Sequence, residues 1–212
     1  MARRRLSWLR LAVIVAAGGA CIFAADRYRR SRRPAPAPPD VQRHGIELVE
    51  GILAKVAGTP FGQSERGKAL AGTIRRFIGR GSVIFTADIA SQALYRREFL
   101  GHEALYVKAL AIGGRLVQQD LELIAEGVFH EAVHALRGGG GRVSIEEECD
   151  GFAAGLAAGA AIAGHHLPEP LLIDGRPVAA FVRMAYPDSP RDPAYEPVGE
   201  SRQWLARRTG LK

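Results

Sequence analysis

A chain of 212 residues, 47% hydrophobic and 24% charged, has room for one ordinary folded domain plus an appendage, and its composition excludes a disordered protein. Its formal charge of +7 looks like a nucleic-acid signal until it is located: residues 1–40 hold nine arginines against Asp26 and Asp40, leaving twenty basic and twenty acidic residues in the rest. The folded part therefore has no overall positive field to draw in phosphate backbones, and no nucleic-acid partner is expected. The two cysteines, Cys21 and Cys149, fall in an apolar run and a predicted helix, so a stabilising disulfide is not expected.

Arg3, Arg4 and Arg5 precede an apolar stretch from Leu11 to Ala25, and five more arginines follow within residues 26–33. Fifteen apolar residues are short for a full span of about 20, but Trp8 and Leu9 extend the run if Arg10 snorkels toward the headgroups. The expectation is an uncleaved single-pass anchor over residues 1–33. The alternative is export after signal-peptide cleavage. Against cleavage stand the large residues Ile22 and Phe23 upstream of Ala24 and Ala25, and the arginine cluster just after the apolar run. Both flanks are basic, so charge bias leaves the orientation open; the outer side is preferred for the domain. Residues 34–40, with Pro34, Pro36, Pro38 and Pro39 interleaved with alanine, read as an extended linker holding a domain at 41–212 roughly 20 Å from the membrane, at about 3 Å per residue.

Within the domain, Ile46, Leu48, Val49, Ile52, Leu53 and Val56 recur at helical spacing, and a second helix is predicted over Glu65–Ile78. Val83–Ala87 is a short β-branched and aromatic run that reads as a strand, residues 89–100 are ambiguous and lean helical, and Leu105–Ile112, Gly113-Gly114 and Arg115–Val117 read as a hairpin. A helix follows from Leu121 to Arg137 with Asp120 as its N-cap, stopped by Gly138–Gly141. Ser144 and Glu147 fit a capping box opening another helix that runs toward Gly164, rich in alanine and glycine as suits close packing on a neighbour. Shorter helices are predicted near 178–186 and 199–208. Few strands among several helices give an α+β fold.

The chemistry is concentrated in His130-Glu131-Ala132-Val133-His134. A spacing of four puts both imidazoles on one face of a helix, one turn apart, where both can reach a single tetrahedral Zn²⁺. Glu131 lies beside that face, placed to take a proton from water at the metal without occupying it. A third protein ligand is still needed. The residues seven and ten after His130 are Arg137 and Gly140, which excludes the metzincin pattern. Twelve residues after His134, Glu146-Glu147-Glu148-Cys149-Asp150 opens the next helix and offers three candidate carboxylates.

At this point the residues resemble the thermolysin-like clan of zinc metallopeptidases called gluzincins, in particular small bacterial members. That clan carries a glutamate on a second helix, an aspartate or asparagine four residues later, and often an aromatic two residues on. Glu146, Asp150 and Phe152 match. The resemblance implies a zincin-like domain with Glu146 as third ligand beside His130 and His134, and with Asp150 accepting from the outer nitrogen of a zinc histidine. Glu146 and Asp150 share a helix face, which agrees. It also implies that a strand before the active-site helix pairs with the substrate backbone, and residues 105–112 are the candidate. His165, His166, Arg183, Tyr186 and Tyr195 are chemically able to support an oxyanion; His44 and His102 read as surface residues.

The expectation is therefore a membrane-anchored zinc metallopeptidase acting on a peptide or protein substrate, with Glu131 as general base. The alternative is a non-catalytic, zincin-shaped metal-binding or scaffold protein at the membrane. The glutamate at 131 favours catalysis, since a scaffold has no need of a base there.

Overall fold

The computed structural model describes residues 33–97, 101–109, 118–138 and 142–212. The apolar N-terminal run and the Gly113-Gly114 turn lie outside these residues. Among the described residues, no helix is long and apolar enough to cross a membrane.

The chain from Ala35 onward forms one unit. It opens with helix α1 (Pro39–Ala57), a short turn α2 (Pro60–Gln63) and helix α3 (Glu65–Gly79). Pro39 at the first helical position needs no partner for a missing N–H, and Thr59 and Ser64 each cap the next helix by accepting from a backbone amide three residues on. The stretch read as a free spacer is partly tied down: Ala37 N donates to Phe85 O at 2.8 Å, Thr86 Oγ1 to Ala35 O at 2.6 Å, and Ala35 N to Asp88 Oδ2 at 3.0 Å. Residues 35–37 are extended, as proline and alanine favour, but they lie along a strand of the domain.

That strand is β1 (Val83–Thr86), followed by β2 (Ala93–Arg97) and β3 (Glu103–Lys108). The sheet order is β1-β3-β2, with β1 parallel and β2 antiparallel to β3. Two expectations are corrected. Residues 93–97, ambiguous with a helical leaning, form a strand, in which Ala93 and Tyr95 pack inward and Leu94 between them is exposed. Residues 103–108 form the central strand of the sheet rather than an edge; the hairpin expected across Gly113-Gly114 to 115–117 lies outside the described residues. The edge that faces the candidate site therefore belongs to β2.

Helix α4 (Gln118–Arg137) and helix α5 (Ile145–Ala163) make the most extensive contact in the fold. Asp120 lies inside α4 rather than capping it. Ile124, Ala125, Val128, Phe129, Ala132 and Val133 of α4 enter the main core with Val49, Ile52, Leu70, Ile74, Phe85, Leu105 and Val107. Opposite that apolar stripe runs a polar one through Glu126, His130 and His134. α5 presents glycine to it: a Cβ at Gly155 would lie 2.5 Å from the Glu126 carbonyl oxygen, closer than any real contact. Ser144 caps α5, and Gly164 ends it at φ +71°, a left-handed value that glycine adopts without strain. A β-ribbon, β4 (Leu172–Ile173) with β5 (Arg176–Pro177), then α6 (Val178–Ala185) and α7 (Arg202–Thr209) complete the chain. They pack Leu171, Val178, Val182 and Leu205 on the outer face of α5, against Ile145, Cys149 and Ala153.

One buried polar cluster ties these layers together. Arg66 of α3, 2% exposed, sits 2.6 Å from Asp150 Oδ1 and donates to Asp150 O at 2.8 Å and Val198 O at 3.3 Å. Tyr195 donates its hydroxyl to Asp150 Oδ2 at 2.7 Å, and Trp204 lies under the guanidinium, 5.2 Å from ring centroid to Cζ. Asp150 is thus a structural counter-ion. Breaking a buried pair leaves an uncompensated charge, so Asp150→Ala is expected to lower stability by about 3–5 kcal/mol in chemical denaturation.

Candidate metal centre

Helical geometry brings His130 and His134 one turn apart on α4, and their Nε2 atoms face each other at 3.1 Å with ring centroids 4.9 Å apart. The carboxylate that meets them is Glu148. Its Oε2 lies 3.3 Å from His130 Nε2 and its Oε1 3.9 Å from His134 Nε2. One ligand atom from each of the three residues falls within 4.8 Å of the others. A tetrahedral ion with bonds near 2.0–2.1 Å holds its ligand atoms roughly 3.3–3.5 Å apart, so this triangle is of the right size. The chemistry of the donors agrees. Glu148 Oε2 is buried and, apart from its approach to His130, has no hydrogen-bond partner, a state that a cation beside it would relieve. The group can hold a metal ion.

His134 is oriented by its other nitrogen: Nδ1 lies 2.8 Å from Glu147 Oε1. With the ring proton on Nδ1, the Nε2 lone pair points at the shared centre, the arrangement that carboxylates impose on metal-binding histidines. Burial works to lower the His134 pKa, but the Glu147 hydrogen bond and the charges of Glu131, Glu148 and Glu147 outweigh it, leaving it raised. The same negative surroundings that favour a proton on this ring favour a divalent cation beside it. The His130 ring is fixed differently. Phe152 meets it edge-on at 4.6 Å between centroids, and Gly151 leaves space for it, since a Cβ there would stand 3.0 Å from its Cε1 and Nε2.

The expected third ligand, Glu146, is directed elsewhere. Its Oε1 takes Arg191 Nε at 2.6 Å and its Oε2 takes Asp192 N at 2.7 Å. Burial alone would raise its pKa, but those two donors hold it below the ordinary carboxylate value. Asp150, expected behind a histidine, is committed to Arg66 and Tyr195, and Glu147 supports His134 in its place. Glu147 N does donate to Ser144 Oγ at 3.1 Å, so the cap forms, but its carboxylate turns to His134 rather than completing the box. A helix turns about 100° per residue. Glu148, Gly155 and Gly159 then share one face, with Gly151 and Phe152 at its margins, and Glu146 and Asp150 lie on the opposite one. The glycine spacing at 151, 155 and 159 was the signal in the sequence that identifies the face turned toward α4.

Glu131 lies at the wall of an open cleft of about 510 Å³ lined by Ser91, Tyr95, His130, His134, Glu148 and Tyr186 among others. Its Oε2 accepts from Tyr95 N of β2 at 2.7 Å. Burial raises its pKa; the charges of His130 and His134 and the Tyr95 amide pull it down without cancelling that effect, and Glu148 adds to it. Tyr186, at the end of α6, also lines the cleft, and burial with the charges of Glu148 and Glu131 pushes its hydroxyl up to about 12, so it stays a proton donor. His165, His166 and Arg183 do not line this cleft, and Tyr195 is held by Asp150. Cys149 is buried with its thiol pushed up to about 12, chiefly by burial, and is inert as a nucleophile or ligand.

No protein-family model, curated protein or solved structure matches this chain.

Metal analysis of the full-length chain is expected to give one ion per chain in the wild type and in Glu146→Gln, and none or a small fraction in Glu148→Gln and His134→Ala. Gly151→Ala gains helix propensity of about 1 kcal/mol yet displaces the His130 ring, so its metal affinity should fall on the order of tenfold while its melting temperature does not. Competition with a chelator of known affinity measures both.

Proposed function

We propose that this chain is a zinc-dependent metallopeptidase held at a membrane by its N-terminal segment. The observation that carries the reading is the convergence of two imidazoles and one carboxylate on a point beside Glu131, a carboxylate that no ligand role requires. Two histidines and a glutamate from a neighbouring helix resemble the gluzincin arrangement, with the third ligand at Glu148. Nitrogen and carboxylate donors in a triangle of this size suit Zn²⁺, and three protein ligands leave a fourth position for water or substrate. Zinc bound there supplies a Lewis acid that acidifies a coordinated water and polarises a carbonyl.

The chain's own residues do the rest. Glu131 holds a carboxylate in a buried site whose surroundings raise its proton affinity, so it can accept a proton from the attacking water and deliver it to the departing amine. The Tyr95 amide fixes one of its oxygens, which keeps the other in a defined direction. Tyr186, neutral across the physiological range, is the donor placed to meet the oxygen that gains charge as the carbonyl is attacked. β2 is the edge strand of the sheet and runs beside α4, where Gly127 allows Ala93 to approach. An extended peptide can pair with the β2 backbone groups that Glu131 and Ser91 do not already engage, and so bring a scissile bond to His130, Glu131 and His134.

A scaffold that merely holds metal would have no use for the Glu131 carboxylate. Quenched-peptide cleavage by the metal-loaded, full-length chain is the test. Glu131→Gln is expected to lower kcat by about 10²–10⁴ with its metal content unchanged, and equal rates in the two proteins would refute catalysis. Tyr186→Phe should lower kcat by about 10² with little change in KM.

A further inference from the structure

We propose that the cavity flanking His130 on the side away from His134 receives a basic side chain of the substrate, lysine or arginine, with Glu126 as its charge partner. The proposal rests on the peptidase reading above and supplies its substrate class.

The cavity has a volume of about 260 Å³ and opens beside His130 and Glu131. Sites that take a drug-sized molecule span roughly 300–1,000 Å³, so this one suits a single side chain. Its walls are mostly apolar, with Leu123, Phe152, Leu156 and Ile173. Such walls cover the methylene stem of a long side chain.

That lining holds two carboxylates, Glu131, which accepts from the Tyr95 amide, and Glu126. Glu126 is the one turned to this use. It stands one helical turn before His130, about 6 Å along the axis, on the same face of α4. Among the described residues, no hydrogen-bond donor or cation pairs with it. Burial, together with the like charge of Glu122 one turn further on, raises its pKa. A half-buried acid with no partner is destabilising. The fold nevertheless makes space for it. A Cβ at Gly159 would stand 2.6 Å from Glu126 Cγ and 2.7 Å from its Oε1, so α5 carries glycine where this side chain lies. A carboxylate seated against a neighbouring helix, lacking a counter-ion and next to the reacting centre is complementary to an incoming cation.

The larger cleft on the other side of the centre carries both signs. Arg97, Arg137 and Arg142 line it together with Glu131, Glu147 and Glu148. The lining on the Glu126 side contains no lysine or arginine, so an incoming cation meets no like charge there.

The test uses blocked alanine hexapeptides carrying a single lysine or a single norleucine, moved one position at a time. Their Kd values are measured by calorimetry on full-length chain stripped of metal with a chelator. At one position lysine should bind about tenfold tighter than norleucine, and Glu126→Gln should bring the two within about twofold while leaving the norleucine value unchanged. No lysine preference at any position, or an equal preference in the Gln variant, overturns the proposal. Digestion of the same peptides by the metal-loaded chain separates the two claims. Cleavage without a Glu126-dependent preference removes the pocket and leaves the peptidase; a Glu126-dependent binding preference without cleavage does the reverse. The melting temperature of Glu126→Gln should equal or exceed that of the wild type, because a carboxylate kept for binding contributes nothing to folding; a clearly lower value would assign Glu126 to the fold and overturn the proposal.

Discussion

The distance between α4 and α5 governs everything at the candidate site, and it is set by atoms that are not there. Gly155 lies against the Glu126 carbonyl, Gly151 against the His130 ring and Gly159 against the Glu126 side chain. A methyl group at any of the three would push the helices apart or displace the side chain between them. A set of metal donors tolerates shifts of only a few tenths of an ångström, so the hydrophobic core behind α4 and the glycine face of α5 must agree closely. The apolar residues of α4 fix its rotation, and the glycines fix how near its polar face comes to Glu148.

A second constraint is electrostatic. Four acids lie within five residues at the start of α5, and each has a separate task because the helix turns each to a different neighbour. Glu146 anchors the proline-rich loop through Arg191 and Asp192. Glu147 orients His134. Glu148 faces the shared centre, and Asp150 balances Arg66 beneath Tyr195. The loop and the buried cluster hold α5 from behind, leaving its front face free for chemistry. Concentrating this many carboxylates near two imidazoles is unfavourable unless each is paired; Glu146, Glu147 and Asp150 have partners, and the Glu148 carboxylate beside the two rings suits a cation.

The cleft extends that logic outward from the centre. β2 brings a strand edge and the Tyr95 amide to Glu131, while α6 brings Tyr186 from the other side. Apolar walls and Glu126, which has no partner among the described residues, lie upstream along α4, with arginines and glutamates downstream. A polar stripe on one helix therefore passes an apolar-walled cavity, the His130–His134–Glu148 group and a cleft lined by arginines and glutamates in the space of a few turns.

Much of the fold was legible from local pattern. The periodicities over 46–56 and 65–78, the strand at 83–86, the Ser144 cap and the break at Gly164 all follow from short-range sterics and hydrogen bonding that a sequence displays directly. The His-Glu-x-x-His spacing likewise specifies a pair of imidazoles on one helix face wherever that helix is placed. Two things could not be read this way. Residues 93–97 became a strand by pairing with β3, and residues 103–108 a central one by pairing with β1 as well, both under cover from α4, and these contacts lie beyond local pattern. The carboxylate that faces both histidine Nε2 atoms was Glu148 rather than Glu146. A helix fixes the angles between its own side chains but not which angle faces its neighbour, and that rotation is decided by where glycine permits close approach and by Arg66, Tyr195 and Arg191 holding the other face. The sequence by itself determined which chemical groups were present and how they were spaced; only tertiary packing decided which of three adjacent carboxylates meets the histidines, because that depends on the rotation of one helix against another.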